Sequence, residues 1–492
     1  MSIQDFIFVL PEIFLALTIC FILVAEITYH GEKIRLVSAT ALVGLGTALL
    51  QSVIVMMKGP ARVFSGSMAI DGLTFFFRIL FIGLGAITII SSVTSKEINP
   101  TMRAEYTVLL VASCLGMCVS ASATDVVLGF LALQLSIMSG YFLAGYSKWH
   151  PPGNEAAIKI MIGNVTAAAF LAYGLAMIFA STGQLNMQDI HISLMSSGLS
   201  QKETLMTFVF ILFAICFPLG IFPFHFWSPD VAEGAPTPVS SFLSVGIKSA
   251  ALALGLRLIM ALFAQPALTL GQWQILGQLE WPRILAVISS VSMLYGALLA
   301  FRQQSAKRLM GYLLVSQTGA LLMGMLVLDD RGITAILFNL LVELIAVTGV
   351  FYVLSVFYDE AKTDNLEKLK LITKRAIPET IALIFFVMCI VGLPPTPGFF
   401  GKFALFEIAL RYGWSLLLIV AILSMTISVI AASRLIYNMV GGLGAVYSER
   451  ALVVDSWRRV FIYVLLAPLV VAAVFVQPIF EWLGKSIKFI LW

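Results

Sequence analysis

Three charged residues lie inside or beside long apolar stretches of this sequence. Lys248 is nine residues into 239–264, Glu343 is ten residues into 333–357, and Lys402 directly follows a proline-rich interruption. A charge at such a place is costly unless it faces a polar interior, and a lysine removed from water releases its proton more readily. We expect proton exchange at Lys248 and Lys402, with hydrogen bonding to freed carbonyls as the alternative for Lys402. Glu343 should be protonated or pair across helices.

Five further ionisable residues are candidates for a proton path. Glu155 and Lys159 are four positions apart on a predicted helix, so they either order water or pair with each other near the inner surface. Asp230 and Glu233 belong to one prolyl stretch and either collect protons at a cavity mouth or bind its backbone. His225, in the same stretch, has the titration range of a relay, with a hydrogen-bonded structural role as the alternative.

Four other charges in apolar segments have structural interpretations of equal weight. Asp71 and Arg78 are seven apart and share a helix face, which predicts either a mutual pair or anchoring at an interface. Arg257 suits helix packing as well as function. Glu12, beside Pro11, is interpreted as a charge at a helix N-terminus.

Two segments rich in proline and glycine interrupt predicted helices. The first contains Pro218, Gly220 and the stretch 223–238, and the second is 392–401. Proline removes a backbone donor and clashes with the preceding turn, so each segment frees polar groups that hydrocarbon cannot satisfy. Paired breaks of this kind are typical of repeat transporters, in which they line a polar cavity.

The composition identifies a polytopic membrane protein. Of 492 residues, 60% are hydrophobic and 11% are charged, whereas soluble domains are about a quarter charged. The net charge of +4 forms no basic tract, so nucleic-acid binding is not expected. The five cysteines lie in apolar segments without nearby histidines, so we expect no metal and no cofactor in this chain. Asp5 and the lack of a basic start predict a retained first helix.

Runs of about 20 apolar residues predict a single all-α membrane domain over 1–492 with about 14 transmembrane helices. Two inverted five-helix repeats are expected, because Gln317 follows Gln134 by 183 positions and Lys402 follows Pro218 by 184. The predicted divisions are three helices in 1–104, repeat one in 105–264 with helices 4–8, repeat two in 283–440 with helices 9–13, and helix 14 in 459–480. The predicted spans are 7–28, 34–57, 70–92, 105–121, 125–146, 157–181, 204–222, 239–264, 283–301, 306–328, 333–357, 379–411 with a break before 402, 413–440 and 459–480.

Lysine and arginine are more frequent in the loops that would face the cytoplasm if the N-terminus lies outside. This bias predicts a multi-pass protein of the bacterial inner membrane with both termini on the periplasmic side. Lipids are therefore expected neighbours.

The sequence resembles the antiporter-like subunits of respiratory complex I, and its motifs are most similar to those of subunit N. The resemblance covers the whole chain and is carried by six motifs. They are Leu10-Pro-Glu12, Asp71-Gly72, Glu155-Ala-Ala-Ile-Lys159, Phe222-Pro-Phe-His-Phe-Trp-Ser-Pro-Asp-Val-Ala-Glu-Gly-Ala-Pro-Thr-Pro-Val239, Lys307-Arg-Leu309 and Gly392-Leu-Pro-Pro-Thr-Pro-Gly-Phe-Phe-Gly-Lys-Phe403.

The resemblance implies a proton-translocating module of 14 helices, with helices 7 and 12 broken. FMN, iron–sulfur clusters and quinone would belong to partner subunits, and the membrane partners would resemble subunits M, K, A, J and the lateral helix of L. Lys248 and Lys402 match the lysines of the family in helices eight and twelve. Three positions depart from the pattern: Gln134 replaces a glutamate, Pro218 replaces a lysine, and Gln317 stands where histidine is common.

These departures leave two hypotheses for the proton path. Glutamine does not exchange protons near neutral pH and proline has no side-chain donor. The subunit therefore either does not pump, or it uses Glu343 for charge coupling to Lys248 or Lys402. The remaining alternatives are an Mrp-type cation/proton antiporter subunit and a structural spacer in a membrane arm.

Overall fold

A computed structural model describes residues 3–28, 33–98, 103–147, 149–197, 201–263, 265–266, 273–274, 281–373, 376–440 and 454–487. The chain is predominantly helical in these ranges. The elements, in chain order, are α1 Ile3–Phe8, α2 Leu10–Thr28, α3 Lys33–Met56, β1 Ala61–Val63, β2 Met68–Ile70, α4 Gly72–Thr94, α5 Arg103–Ser122, α6 Val126–Ala144, α7 Pro151–Thr182, α8 Met187–Ser197, α9 Gln201–Leu219, α10 Trp227–Gly234, α11 Thr237–Phe263, β3 Gln265–Pro266, β4 Trp273–Gln274, α12 Trp281–Arg302, α13 Ala306–Met325, α14 Asp330–Ala361, α15 Leu366–Thr373, α16 Ile377–Val391, α17 Pro397–Arg411, α18 Ser415–Val440, α19 Ser456–Val474 and α20 Val476–Ile487.

Eleven helices in the described ranges are long and apolar enough to cross a membrane. They are α2, residues 36–56 of α3, α4, α5, α6, α7, α11, α12, α14, α18 and α19. Two shorter apolar helical segments, Leu205–Leu219 and Ile377–Val391, adjoin the glycine and proline interruptions. The strands form two short antiparallel hairpins, β1 with β2 and β3 with β4.

Short polar side chains fix the starts of several helices. Asp71 accepts a hydrogen bond from the Thr74 amide at 2.9 Å before α4, and Asp125 accepts one from the Val127 amide before α6. Ser305 does the same for α13. Each cap satisfies an amide that has no partner within its helix, which matters more in lipid than in water.

Glycine sets the geometry of both interruptions. Gly220 follows α9 with φ of 65° and Gly392 follows α16 with φ of 84°, in the left-handed region that favours glycine. The two glycines are 172 positions apart, so the interruptions correspond at a different offset from the 184 predicted for Pro218 and Lys402. Pro218 lies inside the last turn of α9, whereas Lys402 lies inside α17.

Several helix bounds differ from those predicted. α7 extends to 32 residues because His150 and two prolines start it earlier, and α17 starts at Pro397 rather than at 402. The predicted span 459–480 is divided at Phe475 into α19 and α20. Residue 264, at the end of the predicted first repeat, lies outside the described ranges.

Two helices form the centre of the packed core. The spanning part of α11 is fully buried and most of α14 is buried as well. α11 packs against α4, α5, α6, α9 and α14, whereas α14 packs against α11, α13, α16, α17 and α19. The contact between α11 and α14 therefore joins the two predicted repeats at the middle of the molecule.

Candidate functional site: a buried charge relay

Lys248 and Glu343 form an ion pair between the two central helices. The Lys248 ammonium on α11 donates to Oε1 of Glu343 on α14. Both side chains are almost inaccessible, at 3% and 2% exposure, and Glu343 Oε2 has no hydrogen-bond partner among the described residues. The expectation that Glu343 would pair across helices is therefore confirmed. The second oxygen leaves the carboxylate an additional acceptor for a proton or for water.

Lys402 lies at the second interruption. Its ammonium donates to the carbonyl of Val391, the last residue of α16, at 2.7 Å. A Cβ on Gly392 would come within 2.8 Å of Lys402 Cδ, so glycine keeps room for the lysine stem. The predicted alternative for Lys402, a hydrogen bond to a freed carbonyl, is thus present in the structure. This bond leaves two further donors on the ammonium for water or another carrier.

The positions that depart from the family pattern form neutral contacts. Gln134 on α6 accepts a hydrogen bond from the Asn164 amide on α7 at 2.8 Å. Near Pro218, the carbonyl of Phe217 accepts a hydrogen bond from the indole of Trp227 at 2.7 Å. Neither the amide–amide bond nor the indole–carbonyl bond contains a group that titrates near neutral pH.

Gln317 and His225 each contain a buried atom whose partner is not found in the described part of the chain. These atoms are Gln317 Oε1 on α13 and His225 Nδ1 between α9 and α10. The His225 ring packs edge-on against Tyr295 of α12, with centroids 4.4 Å apart. The contact places His225 at the interruption after α9 in an aromatic environment.

Four of the remaining candidates lie on or beside the short helix α10. Lys159 on α7 contacts both Glu155, at 2.7 Å, and Asp230 of α10, at 2.5 Å. Arg308 on α13 contacts Asp230 at 3.2 Å and Glu233 at 2.8 Å. Asp230 therefore connects α7 to α13 through α10, and the predicted Glu155–Lys159 pair is present. Most of these groups are partly exposed, so water weakens the attraction in each contact.

Two buried ion pairs connect the first helices to this core. Arg78 on α4 binds both oxygens of Glu12 on α2, at 2.8 and 2.9 Å, and Arg257 on α11 binds Asp71 at 2.8 Å. Glu12 lies in the first turn of α2, as interpreted from the sequence, and it is also buried and paired, at 4% exposure. Its pairing was not evident from the sequence, because the partner is 66 positions away.

Glu97 is a functional candidate that the sequence did not reveal. It lies after α4, accepts a hydrogen bond from the Thr237 hydroxyl at 2.9 Å and contacts the Lys307 ammonium at 3.3 Å. A cavity of about 640 Å³ adjoins it, lined by charged residues that include Lys96, Glu233 and Lys307. A possible signal was the Lys96-Glu97 dipeptide at the end of an apolar run, which is also the composition of an ordinary loop.

The described residues contain no group of three His, Cys, Asp or Glu side chains that could hold a metal ion. Cys114 and Cys118 are buried among apolar side chains, whereas Cys20 is exposed on the surface of α2.

Comparisons with known proteins agree with this geometry. A family model described as NADH:quinone oxidoreductase/Mrp antiporter, TM, matches residues 123–428. NADH-quinone oxidoreductase subunit N 2 of Chloroherpeton thalassium is 31% identical over 98% of this chain and 94% of its own length. A chain of respiratory complex I from Thermus thermophilus superimposes with a TM-score of 0.79 at 25% identity, over 96% of this chain and 98% of that one. An archaeal membrane-bound sulfane sulfur reductase shares the fold, with a TM-score of 0.86 at 18% identity, over 98% and 97% of the two chains. The chain belongs to the NADH:quinone oxidoreductase/Mrp antiporter family, in the group of complex I subunit N.

Proposed function

We propose that this chain is a proton-translocating subunit in the membrane arm of a bacterial NADH:quinone oxidoreductase. The ion pair between Lys248 and Glu343 is the observation that carries the proposal, since a buried lysine and carboxylate in contact can exchange one proton. Redox chemistry takes place in partner subunits that hold FMN, iron–sulfur clusters and quinone. The membrane neighbours resemble subunits M, K, A, J and the lateral helix of L.

The relay runs from Lys248 through Glu343 to Lys402. Glu343 lies on α14, which packs against both α11 and α17, the helices that carry the two lysines. Glu343 replaces the charge coupling that a glutamate at position 134 and a lysine at position 218 would supply. Water at the unbonded Glu343 oxygen completes the connection to Lys402.

The peripheral candidates control access to this relay. Glu155, Lys159, Asp230 and Glu233 form the ionic rim around α10, and the proton path passes beside this rim. His225 and Gln317 orient water at the interruption after α9 and beside α13. In these roles the side chains exchange protons or orient water at the ends of broken helices.

The architecture that supports this path consists of 14 spanning helices and two inverted five-helix repeats. In this arrangement α5–α11 form repeat one and α12–α18 form repeat two, with helices 7 and 12 broken. The lengths support this pairing, because α7 and α14 both contain 32 residues, and α11 and α18 contain 27 and 26. The chain lies in the plasma membrane with both termini on the periplasmic side.

Lys248→Ala tests the proposal in the complete complex reconstituted into liposomes. We expect fewer protons moved per NADH oxidised, because the relay loses its first carrier, while the complex still assembles. Lys202→Ala is the matched control, since Lys202 is an exposed lysine at the start of α9. Proton uptake with a vesicle-trapped pH dye, normalised to NADH oxidation, is the measurement.

An unchanged ratio in Lys248→Ala contradicts the proposal and favours the second candidate, a non-pumping structural subunit. The neutral Gln134–Asn164 bond is the observation behind that candidate. The double substitution Gln134→Glu and Pro218→Lys then distinguishes a subunit that has lost its proton path from one that has only a structural role. A gain in protons per NADH identifies a path that these two positions interrupt.

A further inference from the structure

The cavity beside Glu97 opens at the end of the molecule where α11 begins. Charged side chains of both signs line it, including Lys96, Glu233, Lys307 and Asp364. Its volume of about 640 Å³ holds many waters, each of which occupies about 30 Å³ in the liquid. Charges of both signs around a water-filled space are the surroundings in which a carboxylate can take up a proton from bulk solvent.

Glu97 connects this cavity to the start of the central helix. Its Oε1 accepts hydrogen bonds from the Thr237 hydroxyl and the Lys307 ammonium, while its Oε2 accepts one from the Thr237 amide. Thr237 is the first residue of α11, so the carboxylate also neutralises the positive end of that helix. Glu97 is 14% exposed, in contact with the cavity on one side and with α11 on the other.

A row of hydroxyl groups runs from Glu97 toward Lys248. Thr237, Ser241, Ser244 and Lys248 are spaced by four, three and four residues, which places them on one face of α11. The row is about 16 Å long at a rise of about 1.5 Å per residue. Ser241 donates to the Pro238 carbonyl at 2.8 Å, so its oxygen still accepts from water.

The neighbouring face of the same helix is apolar. Leu243 and Ile247 project toward α6, where a Cβ on Gly140 would approach both side chains within 3.0 Å. The hydroxyl row is therefore a polar face beside the aliphatic face that packs against α6. The row ends at the lysine that contacts Glu343.

We propose that Glu97 is the proton-uptake group of this subunit and that the Thr237–Ser241–Ser244 face conducts the proton to Lys248. This inference rests on the proposed function. A proton from water in the cavity binds the Glu97 carboxylate, passes along the hydroxyls and their waters, and binds the neutral amine of Lys248. Glu97 returns to its carboxylate form, no electron moves, and the route makes no use of Gln134 or Pro218.

Glu97→Gln in the reconstituted complex tests the route. The glutamine carbonyl still accepts one of the two Thr237 hydrogen bonds, so α11 keeps part of its cap while the titrating group is lost. We expect protons per NADH to fall by the same amount as in Lys248→Ala, and Glu97→Asp to restore most of the loss. Glu379→Gln is the matched control, because Glu379 is a buried carboxylate paired with Arg459 away from the cavity.

A normal ratio in Glu97→Gln beside an impaired Lys248→Ala overturns the uptake route and leaves the proposed function intact. Normal ratios in both variants overturn the two proposals together. Ser244→Val tests the hydroxyl row without changing the α11 cap, again by protons per NADH. Ser249→Val, on another face of the helix, is its control. A folded Ser244→Val complex with a normal ratio also contradicts the route.

Discussion

At the scale of single residues, the central pair is held by a balance between desolvation and attraction. Removing Lys248 and Glu343 from water costs several kcal/mol per ion, and their contact offsets this cost only while both partners remain. Neither charge is compensated without the other, so the proposed relay needs both residues.

Glu343→Met should destabilise the subunit by about 3–5 kcal/mol if Lys248 retains its charge, because a buried cation then lacks its anion. The double variant Lys248→Met with Glu343→Met should recover most of that stability but no proton transfer. Heat denaturation of the purified complex and protons per NADH are the two measurements. A double variant as unstable as the single one contradicts this account of the pair.

The sequence identified the charged residues and offered Lys248 and Lys402 as alternative partners of Glu343, but it did not decide between them. Lys248, Glu343 and Lys402 are evident because each interrupts or adjoins an apolar run. The Lys248–Glu343 contact joins residues 95 positions apart, and no periodicity within one helix encodes such a distance. Glu97 was missed for a related reason, since its role depends on the helix that starts at Thr237.

At the scale of the elements, close packing around the second interruption positions Lys402. Gly398 in the first turn of α17 lies against the end of α16, where an added Cβ would be 1.7 Å from the Cys389 carbonyl oxygen. Gly401 packs in the same way against Asn339 of α14. These contacts fix the distance between Lys402 and the Val391 carbonyl that it binds.

Gly398→Ala should force α17 away from α16 and destabilise the subunit by roughly 1–3 kcal/mol. We also expect a loss of proton transfer, because the displacement separates Lys402 from Val391. Gly83→Ala on α4 is the control, since nothing lies within 4 Å of a Cβ at that position. Equal heat stability of the two variants would show that the packing at Gly398 is not needed.

The sequence predicted where helices are interrupted but not the residue at which the next helix begins. Glycine and proline mark both places, because few other residues tolerate those backbone conformations. The start of α17 at Pro397 was not evident, since proline also favours the first turn of a helix and its presence alone does not separate a break from a new start.

At the scale of the whole molecule, α14 makes the two proposed repeats a single unit. It contributes Glu343 to a lysine of the first repeat and packs against α17 of the second. The pairs Glu12–Arg78 and Asp71–Arg257 attach the first helices to the same core. Length and hydropathy predicted the membrane-spanning helices. The contact of α14 with α11 of the other proposed repeat was not predicted, because a single sequence does not specify contacts between distant helices.

The proposed orientation predicts which loops are accessible from each side of the membrane. Trp149 is 97% exposed between α6 and α7, and Met57 is 84% exposed after α3. With Cys20 replaced by serine, Met57→Cys should react with an impermeant maleimide in spheroplasts, and Trp149→Cys should react in inverted vesicles. The opposite pattern means that the termini lie in the cytoplasm.

The neutral bond between Gln134 and Asn164 has an electrical consequence. Moving one elementary charge across the membrane changes its free energy by about 2.3 kcal/mol for each 100 mV of membrane potential, and the potential exerts no net force on a group without charge. A proton stored between α6 and α7 would feel that field, whereas this amide pair does not. In the proposed relay, a proton that moves between Lys248, Glu343 and Lys402 therefore does the work against the membrane potential, and it does so across α11, α14 and α17.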